Sequence, residues 1–287
     1  MDQKFIQLYD EYTHSTMSRR TFMDRLSALA GSAGAAALLP ALENNYAYAE
    51  TVPASDIRLD AGYVDYAGAM NKTLRAYFAK PKGGTKLPAV LVIHENRGLN
   101  PHIMDVTRRL ALEGFLALAL DALSPVGGTP EDMDKASQMI AALDMQETLA
   151  HYLATSVYLK NRPDSSGNVG CVGFCWGGSM ANQLAVNAPD VRAAVAYYGG
   201  QPKAEDVPKI RASLMLHYAA LDARINAGIP AYEAALKAAG KDYQLFMYEG
   251  VNHAFNNDTN AARYDAAAAA LAWTRTIAFL KNKLALA

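Results

Sequence analysis

The stretch VGFCWGGSM, residues 172–180, sets one cysteine between two glycines where an apolar run gives way to a helical pattern. Upstream, NVGCVGF (168–174) reads as a strand that is apolar on both faces; downstream, Trp176 to Asn187 reads as a helix. The same alternation repeats to either side. AVLVIHE (89–95) precedes a helix from Pro101 to Glu113, and FLALALD (115–121) precedes helices near 130–142 and 144–161. Further on come VRAAVAYY, SLMLHY, a helix over 227–239, YQLFMYE and a final helix over 261–284. DIRLD and LRAYFAK, with the break PKGGTKLP, read as an opening hairpin. Strands apolar on both faces and alternating with helices indicate a mostly parallel, eight-stranded sheet with helices on both faces, in one α/β domain over residues 50–287.

Composition narrows the class of partner. The chain has 287 residues, 51% of them hydrophobic, and a formal net charge of −1. No basic excess points to nucleic acid, and a small molecule is the expected partner. Cys171 and Cys175 are too few for a disulfide framework and sit too far apart on a strand and its turn to bridge; Cys171 reads as core. No histidines cluster at metal-ligand spacing, so neither a metal nor a cofactor is expected.

The first 49 residues carry Arg19 and Arg20, then Phe22, an alanine-rich run, and Ala47-Tyr48-Ala49. This pattern is that of a twin-arginine export leader cleaved after Ala49, which implies a periplasmic protein. The alternative is a retained amphipathic helix, Met17 to Leu39, lying on the domain or pairing it with a second subunit in a cytoplasmic homodimer. No other segment is long and apolar enough to span a membrane.

In a parallel sheet ligands gather at the carboxyl ends of the strands, here Glu95-Asn96-Arg97, Asp121, Cys175, Tyr198, Asp222 and His253. Gly173-Phe174-Cys175-Trp176-Gly177 fits a G-x-nucleophile-x-G turn with cysteine as nucleophile. Such a turn thrusts the thiol into the cleft and sets it at a helix N-terminus, whose dipole and free N–H groups favour a thiolate and a developing oxyanion. Asp222 and His253 follow in the order nucleophile, acid, histidine, with the histidine moving the proton and the aspartate fixing its tautomer. His94, His217, His102, His151 and His14 take structural readings.

With these motifs the sequence resembles the dienelactone hydrolases, or carboxymethylenebutenolidases, of the α/β-hydrolase fold. HENRGLN, VGFCWGG, AVAYYGG, LDARIN and NHAF carry the resemblance over about 55–285. It implies Cys175 as nucleophile, His253 as general base and acid, and Asp222 as its orienting carboxylate. It also implies Glu95 as the group that takes the thiol's proton when substrate arrives, and the backbone N–H groups of Asn96 and Trp176 as oxyanion donors. Arg97 and Tyr198 are candidate substrate contacts.

The family's arginines for a substrate carboxylate have no counterpart in DALSPVGGTPED or HAFNNDTN, and Asp258 makes that lip acidic. The expectation is therefore a cysteine hydrolase of lactones or small esters. Its rivals are a broad carboxylesterase or peptidase on the same fold, and a non-catalytic binding or assembly protein.

Overall fold

The computed structural model describes residues 1–48 and 50–285. Its eight strands are β1 (Leu59–Ala67), β2 (Thr73–Pro81), β3 (Leu87–Ile93), β4 (Leu116–Leu120), β5 (Ser165–Phe174), β6 (Val191–Tyr197), β7 (Ser213–Ala219) and β8 (Tyr243–Tyr248). They form one sheet in the order β1-β2-β4-β3-β5-β6-β7-β8. β2 is antiparallel to both β1 and β4, and every pair from β4 through β8 is parallel.

Both faces are covered, as strands apolar on two sides require. On one face α6 (Met145–Asn161), α7 (Trp176–Asn187) and α9 (Ile229–Ala238) bury Tyr152, Leu159, Met180, Leu184 and Leu236 against Leu91, Leu118 and Leu216. On the other, α4 (Pro101–Leu112) and α10 (Ala266–Leu284) bury Ile103, Val106, Leu110, Ile277 and Leu280 against Val90, Val92 and Val195. Cys171 faces the first of these cores, where burial pushes its thiol up to about 12.

Several boundaries differ from the expectation. The first strand begins at Leu59 rather than Asp56 and continues as LDAGYVDYA; the hairpin turn lies at 68–72, where Met70 and Asn71 have φ of 51° and 56°. PKGG instead links β2 to β3. β1 is an edge strand that alternates exposed and covered residues, so its apolar signal is weaker than that of the central strands. The helix expected over 227–239 is preceded by a short one, α8 (Ala223–Asn226), and the last helix starts at Ala266 rather than 261.

The N-terminal arm departs most. The single helix expected from Met17 to Leu39 is two, α2 (Arg19–Ala30) and α3 (Ser32–Leu42), which bend by 118° at Gly31. Gly31 adopts φ 74°, a left-handed conformation that ends α2. Ahead of them lies an unforeseen α1 (Gln3–His14), capped by Asp2. Tyr9, Phe22, Leu26 and Leu42 are fully buried in a small core of the arm's own. α5 (Met133–Ala141) meets the arm through Asp134, 3.2 Å from Arg19, which also pairs with Glu43 at 2.7 Å. The cleavage point expected after Ala49 lies outside the described residues. No single helix among the described residues is long and apolar enough to cross a membrane.

Candidate active site

β5 ends at Phe174 and α7 begins at Trp176, so Cys175 alone makes the turn, at φ 56° and ψ −116°. Few side chains tolerate those angles, and such strain is found where surrounding structure holds a functional group in place. The flanking glycines follow from backbone crowding. A Cβ on Gly173 would lie 1.9 Å from the Gly177 carbonyl oxygen, and one on Gly177 would lie 2.3 Å from that of Ile93. The Cys175 N–H donates to the Tyr197 carbonyl at 3.0 Å, tying the turn to β6.

Asp222 caps α8 just beyond β7, its Oδ1 accepting from the Ile225 N–H. Its Oδ2 accepts from His253 Nδ1 at 2.5 Å. His253 follows β8; its Nε2 is buried without a hydrogen-bond partner, and a ring nitrogen lies within 4.8 Å of Cys175 Sγ. The three residues that sequence order singles out are thus brought to one place, each from the end of a different strand.

A fourth group was assigned no role in the sequence reading. His14, the last residue of α1, places Nε2 3.2 Å from Cys175 Sγ and its ring edge-on to His253, with centroids 4.7 Å apart. Its Nδ1 lies 2.9 Å from the Asp10 carbonyl oxygen and 3.2 Å from the Asp10 carboxylate. The sequence did carry a trace of this, since Asp10 and His14 are i, i+4 neighbours on a helix. What it lacked was any sign that α1 docks over the elbow.

The electrostatics follow from this grouping. Burial alone would raise the Cys175 thiol, but the charges of His14 and His253, with the hydrogen bond from His14, outweigh it and bring the thiol down to about 6. Burial would lower His253, yet the thiolate and Asp222 raise it to about 10. His14 is raised for the same reasons, by the thiolate and by Asp10 against its own burial. His14, Cys175 and His253 bring their ligand atoms within 4.8 Å of one another, a clustering of metal-ligand residue types that the sequence spacing did not show.

The remaining candidates divide. Glu95, expected at the thiol, is bonded elsewhere: Oε2 accepts from Asn257 Nδ2 at 2.6 Å, while buried Oε1 has no partner. Arg97, expected on substrate, is buried against the arm, donating to the Tyr9 hydroxyl at 3.1 Å and lying 3.2 Å from Met133 Sδ. Arg224 and Arg263 both face Asp10 at 3.7 Å. Asp258 is no free acidic lip, since it contacts His102 Nδ1 at 2.9 Å.

Tyr198 is buried with its hydroxyl unpartnered and its ring 4.9 Å from that of His253. Trp176 opens α7, where first-turn N–H groups have no intrahelical acceptor, and Asn96 anchors the arm by donating from Nδ2 to the Thr13 carbonyl at 2.7 Å. His94 and His217 are structural as expected. The first accepts from the Ala122 N–H, and the second bonds Tyr248 and Thr276. A cavity of about 400 Å³ reaches Cys175 between Trp176, Tyr198 and His253 on one side and Ile140, Ile225 and the arm on the other.

Comparison with known proteins identifies this framework. The model of the dienelactone hydrolase family matches residues 74–284. The chain belongs to the dienelactone hydrolase family.

A Saccharolobus solfataricus protein named, by inference, a carboxymethylenebutenolidase is 32% identical over 245 residues, covering 73% of this chain and 94% of its own. A Bradyrhizobium protein, named by inference a 2-oxo-3-(5-oxofuran-2-ylidene)propanoate lactonase, is 30% identical over 75% of this chain and 91% of its own. Among solved structures, a Klebsiella pneumoniae protein assigned as a dienelactone hydrolase superposes with a TM-score of 0.69 at 28% identity, over 77% of this chain and 98% of that one. This dienelactone hydrolase-family member is therefore a hydrolase on the α/β-hydrolase fold. A second family model, described as YqhI-like, matches residues 1–31, which hold α1 and α2.

Proposed function

We propose that this dienelactone hydrolase-family enzyme cleaves a neutral lactone or small carboxylic ester, with Cys175 as nucleophile, His253 as proton carrier and Asp222 as its orienting partner. The observation that carries the reading is the His253–Asp222 contact of 2.5 Å beside a thiol on a strained elbow. With Nδ1–H held by the carboxylate, Nε2 is the nitrogen left for chemistry. It takes the proton of Sγ, and the thiolate adds to the carbonyl carbon to form the C–S bond.

The oxyanion is met by the backbone N–H groups of Asn96 and Trp176. As the C–O bond breaks, His253 Nε2–H protonates the leaving alkoxide. The neutral ring then takes a proton from water, whose oxygen adds to the thioester, and C–S cleavage returns the thiolate. Tyr198, with its free hydroxyl on the cavity wall, is a substrate contact.

Charge decides the substrate class. Arg224 and Arg263, the cations beside the site, face the Asp10 carboxylate, and Arg97 is committed to Tyr9. All three arginines are thus engaged, Arg224 from the cavity wall itself, and that wall is otherwise hydroxyls, the Asn96 amide, aliphatics, aromatic rings and the two imidazoles that face the thiol. The test is hydrolysis of an activated acetate ester, a neutral lactone and an anionic dienelactone by the protein and its Cys175→Ala variant. Cys175-dependent cleavage of the first two is expected, with the anionic substrate much slower. Turnover by Cys175→Ala would sink the mechanism, and preference for the anionic substrate would sink the substrate class.

A further inference from the structure

The nucleophile of a cysteine hydrolase needs one histidine; here it has two, each backed by a carboxylate. His14 reaches Sγ at 3.2 Å from an element outside the hydrolase domain, and the arm is fastened there by side chains of the active-site loops. Asn96 holds the Thr13 carbonyl, Arg97 holds Tyr9, and Arg224 and Arg263 hold Asp10. The Asp10 carbonyl and carboxylate both face His14 Nδ1, which accordingly carries a proton and turns Nε2 to the sulfur.

We propose that the Asp10–His14 pair of the N-terminal arm is a second catalytic dyad, whose imidazolium stays on the Cys175 thiolate as counter-charge while His253 moves the protons of turnover. The proposal rests on Cys175 being the nucleophile. In the resting enzyme Sγ has lost its proton and both rings are protonated. His253 gives its proton to the alkoxide and regains one from water, as above. The proton on His14 is not consumed, and its charge favours the thiolate both as attacking group and as the group expelled from the thioester.

The charged groups around this centre balance it. Asp10 lies behind His14 and Asp222 behind His253, Arg224 and Arg263 flank Asp10, and Glu95 lines the wall from the β3 loop. An arm that supplies a catalytic group is part of the working enzyme, so residues 1–48 stay attached to it.

The experiment uses the full chain and its His14→Asn and His14→Lys variants. The amide keeps polarity without charge, and the ammonium restores charge. The pH dependence of Cys175 alkylation by iodoacetamide is read beside kcat/KM for an activated acetate ester. Cys171, buried with its thiol near 12, does not compete.

In the unaltered protein the thiol is expected to titrate near pH 6. In His14→Asn the titration should rise by about one to three pH units, as for a lost opposite charge in contact, with kcat/KM at pH 7 down about ten-fold or more. His14→Lys should recover part of both. An unchanged titration and rate would make the arm mere packing, and faster alkylation with higher turnover would make it a plug; either overturns the proposal. Activity that survives Cys175→Ala would instead overturn the nucleophile assignment, a separately visible result.

Discussion

The proton affinity of Cys175 is set by its neighbours. Cys171, four residues earlier and also buried, is pushed up to about 12, while Cys175 is drawn down to about 6 by the two rings that face it. Replacing Cys175 or His253 with Ala should abolish turnover, and Asp222→Asn should lower kcat by about a thousand-fold or more through loss of the tautomer that Nδ1 requires.

The pH profile carries signs that can be checked. Below about 6 the thiolate takes up a proton and the rate falls; above about 10 His253 loses the proton that the leaving group needs, and it falls again. A kcat/KM profile on a base-stable ester should therefore be bell-shaped. A profile flat down to pH 4 would count against the ion pair. At this scale the convergence of Cys175, Asp222 and His253 was legible, because each follows a strand of the same parallel sheet. The place of His14 was not, since it depends on where a separate helix docks.

At the scale of elements, the elbow and the arm make opposite demands. The elbow tolerates no bulk: Gly173→Ala would press a methyl group into the Gly177 carbonyl, and about 3 kcal/mol of destabilisation or outright misfolding is expected in thermal unfolding. The arm depends on bulk. Phe22 is fully buried among Tyr9, Tyr12 and Leu26, and its loss to Ala should cost the arm about 3–5 kcal/mol of packing.

Phe22 belongs to the arm's own core rather than to the centre around Sγ, yet Phe22→Ala should raise the Cys175 titration as His14→Asn does, by letting α1 leave. An alkylation profile that stays in place would mean that α1 docks without its own core. The central strands and the helices between them were readable from their apolar runs. β1 was displaced because an edge strand shows water one of its faces, and the break at Gly31 was missed because an alanine-rich run gives no periodicity to interrupt.

For the whole molecule, charge and chain length decide what enters and what persists. The cations that a carboxylate substrate would seek are turned toward Asp10, which predicts that Asp10→Asn frees Arg224 and Arg263 and shifts preference toward anionic esters. A ratio of rates on paired neutral and anionic esters measures this directly. The Arg19-Arg20 pair, on which the expectation of export rests, stands in the structure as the first turn of α2, with Arg19 bridging to Glu43 and Asp134. Intact mass of the protein recovered from its own cells tells the readings apart, since a retained arm requires residues 1–48 on the active form.

The distance along the chain between the groups that meet at the sulfur has a consequence for how the enzyme comes into being. His14 and Cys175 are 161 residues apart, and His253 comes later still. On a ribosome the first of these emerges early and waits, the thiol follows without a partner, and the last imidazole appears only when α10 remains to be made. On the proposed roles the full set of groups meets at the elbow only once most of the chain is made, so that a product lacking His14 or His253 is expected to be alkylated more slowly.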